Sequence, residues 1–281
     1  MMKVQLVDYY ALAHRSYYRQ GGRLSSANGI PTTILYTSIR TLHAEQKANG
    51  YDLTIVVKDP PSGSGKNNRL KIDPNYKANR AQSKNKEGFV EDSTNLIKLL
   101  TMIGMKPYEA EGFEADDLIA TLATDLALAG HDVNILSVDT DFCQILSNKI
   151  SLRRMAPSKI VTFGPLEAME KFGVSELALV AEYKALAGDS CDNIPGIPGI
   201  GHKTAVKLLA KYGTCFNNDP KLESYHDQLV SSYQLAKIRL DCPYTLATEM
   251  CFRPDLEAAI RFVESLECKS LIKPLTSLCI S

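Results

Sequence analysis

The chain of 281 residues predicts an α/β fold with a mostly parallel central sheet, plus a smaller helical domain behind it. Short β-branched runs alternate with amphipathic helical stretches up to about residue 175, the pattern of strand–helix–strand units. Past that point strand-like runs stop and helical periodicity continues. The strand ends supply a third observation, because three runs close on acids. VQLVD ends at Asp8, TIVVKD at Asp59, and VNILSVDTD at Asp139 and Asp141. In an open α/β sheet the carboxyl edge of the strands is where ligands bind.

The elements follow in order. Residues 4–7 predict a strand, 32–47 a helix, 53–57 a second strand and 90–102 a second helix. Residues 115–129 place Leu118, Ile119, Leu122 and Leu126 on one helical face, and Gly130 stands where a C′ glycine ends a helix. Residues 133–138 predict another strand. In the second half, 175–187, 202–211 and 221–240 read as helices, as do the last forty residues.

Composition narrows the function classes. No apolar stretch approaches the roughly 18 residues that a membrane span needs, and the N-terminus runs straight into a strand, so no signal peptide is expected. Thirty-two basic residues balance thirty-two acidic ones, so net charge alone predicts no nucleic-acid partner. Seven scattered cysteines without C-x-x-C argue against a disulfide framework or structural zinc and favour a reducing cytoplasm.

Residues 58–88 break the α/β pattern. They carry Lys58, Lys66, Arg69, Lys71, Lys77, Arg80, Lys84 and Lys86 against only Asp59, Asp73 and Glu87. A charge run is commonly a solvated surface. Its place directly after a strand-end acid favours a segment that positions phosphates. GSGK within it is no P-loop, since the first glycine and the Ser/Thr after Lys66 are missing.

Nine acids can meet near the strand ends: Asp8, Asp59, Glu114, Asp116, Asp117, Asp139, Asp141, Asp189 and Asp192. So many carboxylates cannot ionise side by side without divalent cations, which points to a multi-metal enzyme. Helix capping is the plainer reading of Glu114, Asp116 and Asp117. VDTD alone would also suit a phosphatase with an aspartate nucleophile. The stretch from 187 to 213 is more specific. Asp189 and Asp192 lead into G-I-P-G-I-G and a helix, whose exposed N–H groups suit a backbone phosphate, with Lys203 and Lys207 one turn apart.

Four motifs in collinear order, DPNYKANR, GFEADD, SVDTD and GDSCDNIPGIPGIG, closely resemble the 5′-nuclease family. That family includes flap endonucleases, the 5′→3′ exonuclease domain of bacterial DNA polymerase I and stand-alone phage exonucleases. The resemblance runs from Asp8 to about Asp241. It implies a PIN-like nuclease domain over 1–175 with a helical arch at about 60–92. A helical DNA-binding domain over 176–281 would then carry a helix–three-turn–helix motif at about 184–211.

The resemblance further implies two Mg2+ or Mn2+ ions. One would be held by Asp8, Asp59, Glu114, Asp116 and Asp117. Asp139, Asp141, Asp189 and Asp192 would hold the other, with Asp116 or Asp117 between them. Lys77 and Arg80 would act on the scissile phosphate, with Asp116 and Asp139 completing the catalytic set. Arg15, Arg69, Tyr76, Lys184, Gly199, Gly201, Lys203, Thr204 and Lys207 would contact DNA, Tyr76 either stacking on a base or packing under the arch. Carbonyls around Ile197 and Ile200 would bind potassium. Cys191 is expected only to fill space.

The implied activity is hydrolysis of phosphodiesters at branched or 5′-ended DNA during replication, primer removal or repair. RNA primers and a separate polymerase are possible partners, and the protein is expected to be a cytoplasmic monomer. The alternatives are a metal-dependent phosphatase and an inactive branched-DNA-binding module. One departure is Tyr9, where the family usually has glycine after the first metal aspartate, and it is expected to crowd the metals.

Overall fold

A computed structural model describes residues 1–18, 22–60, 68–79, 88–156, 158–216, 219–244 and 253–279. Its centre is a five-stranded sheet of β1 (Lys3–Asp8), β2 (Leu53–Val57), β3 (Asp132–Ser137), β4 (Ile150–Met155) and β5 (Ile160–Phe163), in the order β2-β1-β3-β4-β5. The first four are parallel, and β5 returns antiparallel to β4. The last two strands were absent from the sequence expectation. Polar Ser151, Arg153 and Arg154 interrupt the apolar run in β4.

Strand β1 leads through α1 (Tyr9–Tyr17) and α2 (Thr33–Asn49) to β2 on one side. From β2 the chain passes through α3 (Asn68–Ile72), α4 (Phe89–Met102) and α5 (Ala115–Leu128) to β3 on the other. Neighbouring strands β1 and β3 thus mark the point where the winding reverses, and a crevice opens there at their carboxyl ends. Period-2 alternation assigns the faces. Val4, Leu6, Val133 and Ile135 pack with Leu118, Ile119 and Leu122 of α5, whereas Val7 and Leu136 pack with Leu12, Ile39 and Leu99. Helix α5 ends as its sequence predicts, with Gly130 at φ +89°.

The chain continues through α6 (Pro165–Phe172), α7 (Leu179–Ala187), α8 (His202–Tyr212), α9 (Pro220–Glu223) and α10 (His226–Ala236). The helix expected over 221–240 is therefore two helices, broken at Ser224 and Tyr225. Helices α11 (Leu256–Ser265) and α12 (Ile272–Cys279) do not stay with this group. Their Ala259, Val263 and Leu275 join the core beneath α2 and α4, and Asp255 N–H donates to Met102 carbonyl at 2.7 Å. The last helices of the expected C-terminal domain thus pack on the far face of the nuclease sheet. Among the described residues no helix is long and apolar enough to cross a membrane.

Candidate active site

The crevice is built from strand ends. Asp8 closes β1 and caps α1, accepting from Ala11 N–H at 3.0 Å. It also accepts from Ser137 Oγ at 2.6 Å, and that same oxygen accepts Asp139 N–H at 3.0 Å. Ser137 therefore ties the ends of β1 and β3 together. It was not among the sequence candidates, although a lone hydroxyl closing the apolar run NIL was the available signal. Asp59, beyond β2, accepts from Ala115 N–H at 2.7 Å, which fixes the start of α5 against the second strand.

These acids repel one another. Burial raises the Asp8 carboxyl to about 6, against the hydrogen bonds from Ser137 and Ala11, while Asp59 and Asp139 add to the rise. Asp116, on the first turn of α5, holds its proton far more tightly than an ordinary aspartate. Burial is the main cause and Asp139 the next, with Asp8 and Glu114 adding to it. Asp139, which the resemblance assigns to the other metal group, lies close enough for its charge to act on Asp8 and Asp116 as well.

Glu114 has cationic company. Lys77 Nζ lies 2.8 Å from it and Arg69 Nη1 2.7 Å. Burial opposes its ionisation, but these two cations outweigh it and hold the carboxyl below its usual range. Lys77 sits in left-handed backbone at φ +56°, its N–H donating to Asp192 carbonyl at 2.9 Å. Its ammonium also approaches Asp192 at 3.6 Å and Asp116 at 4.0 Å. Burial alone would lower its pKa, yet Glu114 and Asp116 raise it well above a free lysine.

Burial corrects three expectations and decides a fourth. Arg69, expected on DNA, is inside the protein, with its fork on Asp117 at 2.7 and 2.9 Å and its remaining donors on Glu114 and the Leu235 and Lys237 carbonyls. Asp117, expected on metal, is correspondingly committed to Arg69 and to Arg239 N–H. Tyr76, offered either to a base or to packing under the arch, takes the second place: it packs beneath its own segment at 4% exposure, and its hydroxyl lies 3.1 Å from Asp192 and 3.2 Å from Glu114. Lys184, expected on DNA, is buried between Asp141 and Asp189 as their counter-charge. Burial works against Asp189 ionising, but Lys184 holds its pKa low.

The second acidic segment is laced to the basic one. Asn193 Nδ2 donates to Asn75 carbonyl and Asn79 Nδ2 to Ser190 carbonyl, both at 2.7 Å. Asp189 and Ile194 exchange two backbone hydrogen bonds, and Gly188 and Gly196 meet so closely that a Cβ on Gly196 would lie 2.6 Å from Gly188 N. That contact explains the glycines at both positions. Cys191 does not fill space: it is exposed, and its N–H donates to Asp189.

Beyond the turn, Gly199, Gly201, Lys203, Thr204 and Lys207 are exposed at the start of α8, while the side chains of Ile197 and Ile200 are buried. Arg15 is half-buried on α1 and donates to Ala156 carbonyl at 3.2 Å. Arg80 lies outside the described residues, as does much of the expected arch. Tyr9 does not crowd the crevice. It turns into the core, where its hydroxyl meets the Ser93 carbonyl at 2.7 Å and Ser93 Oγ at 2.6 Å. Tyr10 occupies the crevice side instead, near Asp59 and Glu109.

The donor chemistry fits hard divalent cations. Asp8, Asp59, Glu114, Asp116 and Asp139 offer only carboxylate oxygens, the ligands magnesium and manganese prefer. Their mutual repulsion is what a divalent charge relieves. Among the described residues no three acids already close into a ligand set. Binding would therefore draw them together, while on the other side Asp141 and Asp189 are held by Lys184 and Asp192 by Tyr76 and Lys77.

Comparison with known proteins agrees with this arrangement. Residues 3–173 match the N-terminal resolvase-like domain of 5′-3′ exonucleases, and residues 176–258 match their C-terminal SAM fold. The chain is 32% identical to a 5′-3′ exonuclease of Aquifex aeolicus, over 97% of this chain and 95% of that one. It is 35% identical to the thermostable DNA polymerase I of Thermus filiformis, over 96% of this chain but only 33% of the polymerase. The chain thus spans about a third of such polymerases. The flap endonuclease of bacteriophage T5 superposes with a TM-score of 0.70 at 20% identity, over 99% of this chain and 100% of that one. With a PIN-like sheet, a crevice of strand-end acids and both domain models matched, the chain belongs to the 5′-nuclease family, as a 5′-3′ exonuclease homologue.

Proposed function

We propose that this chain is a structure-specific 5′-nuclease that hydrolyses DNA phosphodiesters at 5′ ends and flaps with two Mg2+ or Mn2+ ions. The observation that carries the reading is the crowding of Asp8, Asp59, Asp116 and Asp139 at the β1/β3 crevice with Lys77 on its rim. The phage flap endonuclease that shares the fold was solved as a complex with DNA and metal ions. A phosphatase reading explains neither Lys77 nor the Gly/Pro turn.

Two ions held by Asp8, Asp59, Asp116 and Asp139 would supply a hydroxide nucleophile and charge neutralisation at the phosphate. The protein's part is positional. Asp8 and Asp139 are held by the shared Ser137, and Asp59 is held by the α5 amide, so their oxygens face one crevice. Lys77, shared among Glu114, Asp192 and Asp116, is placed to transfer its charge to phosphoryl oxygens when substrate displaces one of these contacts. Arg80 would assist it.

Exposed Gly199, Gly201, Lys203, Thr204 and Lys207 would hold the backbone of adjacent duplex, with Arg15 on the opposite side of the crevice. Carbonyls of the turn at Ile197 and Ile200 would take potassium. The polymerase I relatives carry a matching region within a longer chain, which favours a polymerase partner. Flaps ending in RNA primers would serve as substrates too, and the protein would act as a monomer in the cytoplasm.

The deciding assay follows a 5′-labelled flap duplex with Mg2+ and with EDTA. Short labelled products are expected only with Mg2+, and no metal-dependent cleavage of any branched or 5′-ended DNA would refute the reading. Lys77→Ala should retain DNA binding and lose about 10²–10³-fold in cleavage rate; unchanged turnover would remove its role.

A further inference from the structure

Lys184 is a buried cation to which the chemistry set out above gives no task. It is 6% exposed on α7, with its ammonium on Asp141 and 2.7 Å from Asp189. These are two of the acids that the family resemblance gives to the second ion. Asp141 is continuous with the crevice acids, because its N–H donates to Asp139 at 2.8 Å. Asp189 is tied to the backbone of its own turn, where one carboxylate oxygen accepts Cys191 N–H at 2.9 Å and the other meets Lys184.

An ammonium and a divalent ion ask for the same oxygens. At contact distance the two cations repel, so these oxygens serve one or the other and not both. Two carboxylates outweigh one ammonium, so the spot still attracts a cation. Lysine suits such a contest better than arginine, because its charge is a compact point on a flexible four-carbon stem. Arg69 shows the other solution. Its planar fork closes on Asp117 at 2.7 and 2.9 Å and its remaining donors are taken by Glu114 and two carbonyls, which commits that acid to the protein.

We propose that Lys184 is a resident counter-ion that competes with the second divalent ion for Asp141 and Asp189. The first ion, among Asp8, Asp116 and Asp139, binds without displacing Lys184. The second gains Asp141 and Asp189 only as Lys184 gives them up, so the lysine's pairing sets its affinity below that of the first. The proposal rests on the two-ion reading above and adds to it the residue that keeps the two ions unequal.

Calorimetry with Mn2+ and no DNA tests it apart from any cleavage step. Wild-type protein should show a tighter and a weaker binding event. Lys184→Met keeps the length of the side chain and drops its charge. In that variant the weaker event should tighten about tenfold or more, and the tighter one should shift less than about threefold. Lys184→Arg keeps the charge and adds a fork, so it should weaken the second event about tenfold. Melting gives an independent readout. Lys184→Met should melt below wild type in EDTA and regain the difference at saturating Mn2+, because the ion takes the place of the ammonium. If Lys184→Met does not fold in EDTA, the Lys184→Arg calorimetry decides alone. A weaker event equal in all the proteins or missing from all of them, or one lost in Lys184→Met, overturns the proposal. Ion binding of the expected pattern without cleavage of any flap would sink the nuclease reading and leave the competition standing. Cleavage with a second ion indifferent to Lys184 would do the reverse.

Discussion

Acids at the β1/β3 crevice and acids at the joint with the helical half receive opposite treatment. Asp8 and Asp116 are buried beside Asp139, whose charge adds to the rise in proton affinity of both. Asp117 pairs with buried Arg69, while Asp141 and Asp189 share buried Lys184. The first group stores repulsion that a bound divalent ion can relieve. The second is paired with two buried cations, Arg69 and Lys184, and its work is to hold segments in place. Site acids on one crevice thus divide into those awaiting a charge and those already matched. Asp116→Asn should break the first group. Cleavage should drop at least about 10³-fold, equivalent to about 4 kcal/mol of transition-state stabilisation. Meanwhile the ion-free protein should melt higher, because folding no longer has to bury an acid among like charges or supply it with a proton. Lower melting in EDTA would show that Asp116 is not under repulsion.

Arg69 tests the second group. Its guanidinium joins the basic segment to Asp117 and Glu114 of α5 and to the carbonyls at the end of α10. Arg69→Ala leaves two carboxylates and two carbonyls without that donor, and a stability loss of about 3–4 kcal/mol in denaturant titration is expected. Arg69→Lys keeps the charge but loses the fork, at about 1–2 kcal/mol. If Arg69→Ala unfolds like wild type and only DNA binding suffers, the residue belongs to the substrate surface after all.

A pH titration sharpens the same contrast. Asp8 keeps its proton in the folded protein up to about 6, above the ordinary aspartate value of 3.8. Between those values the native ion-free protein binds more protons than the unfolded chain. Stability in EDTA should therefore rise as pH falls from 7 toward 4.5, by about 1–3 kcal/mol. Saturating Mg2+ should flatten the slope by replacing the proton. A stability that instead stayed flat or declined over this range would mean that Asp8 does not hold its proton in the folded protein. The paired Glu114 and Asp189, with lowered pKa values, respond only nearer to and below the ordinary carboxylate values.

How much of this was legible in the sequence follows from which interactions leave a local mark. Strand ends, the first turn of α5 and the G-I-P-G-I-G turn announce themselves because apolar runs, acids and glycines recur at fixed spacing. Pairing partners leave no such mark. Arg69 looks like every other cation of a basic segment, and only its long-range contacts, 48 residues away to Asp117 and 166 to Leu235, show that it is buried. Lys184 looked like a phosphate ligand for the same reason. Strands β4 and β5 were missed because Arg153 and Arg154 obscure the alternation. Arg153 is drawn to Glu45 of α2, a contact that no local pattern reveals.

Tyr9 marks the smallest expected effect and the sharpest geometric claim. Next to Asp8, where glycine was expected, it appeared to obstruct the crevice. Its ring is instead fully buried, and its hydroxyl reaches Ser93 in the first turns of α4, where Asp92 also accepts the N–H groups of Ile34 and Leu35 at 2.6 and 3.0 Å. The residue after the first metal acid thus anchors the helix that follows the basic segment. Tyr9→Phe removes one buried hydrogen-bonded hydroxyl and keeps the ring, so it should cost about 1 kcal/mol of stability. Cleavage of a flap should stay within about twofold, because nothing that faces the acids has changed. Tyr10→Phe provides the contrast on the crevice side. A larger loss of cleavage in Tyr9→Phe than in Tyr10→Phe would mean that the anchored start of α4 is transmitted to the reacting phosphate, making Tyr9 a positioning residue and not merely a filled core.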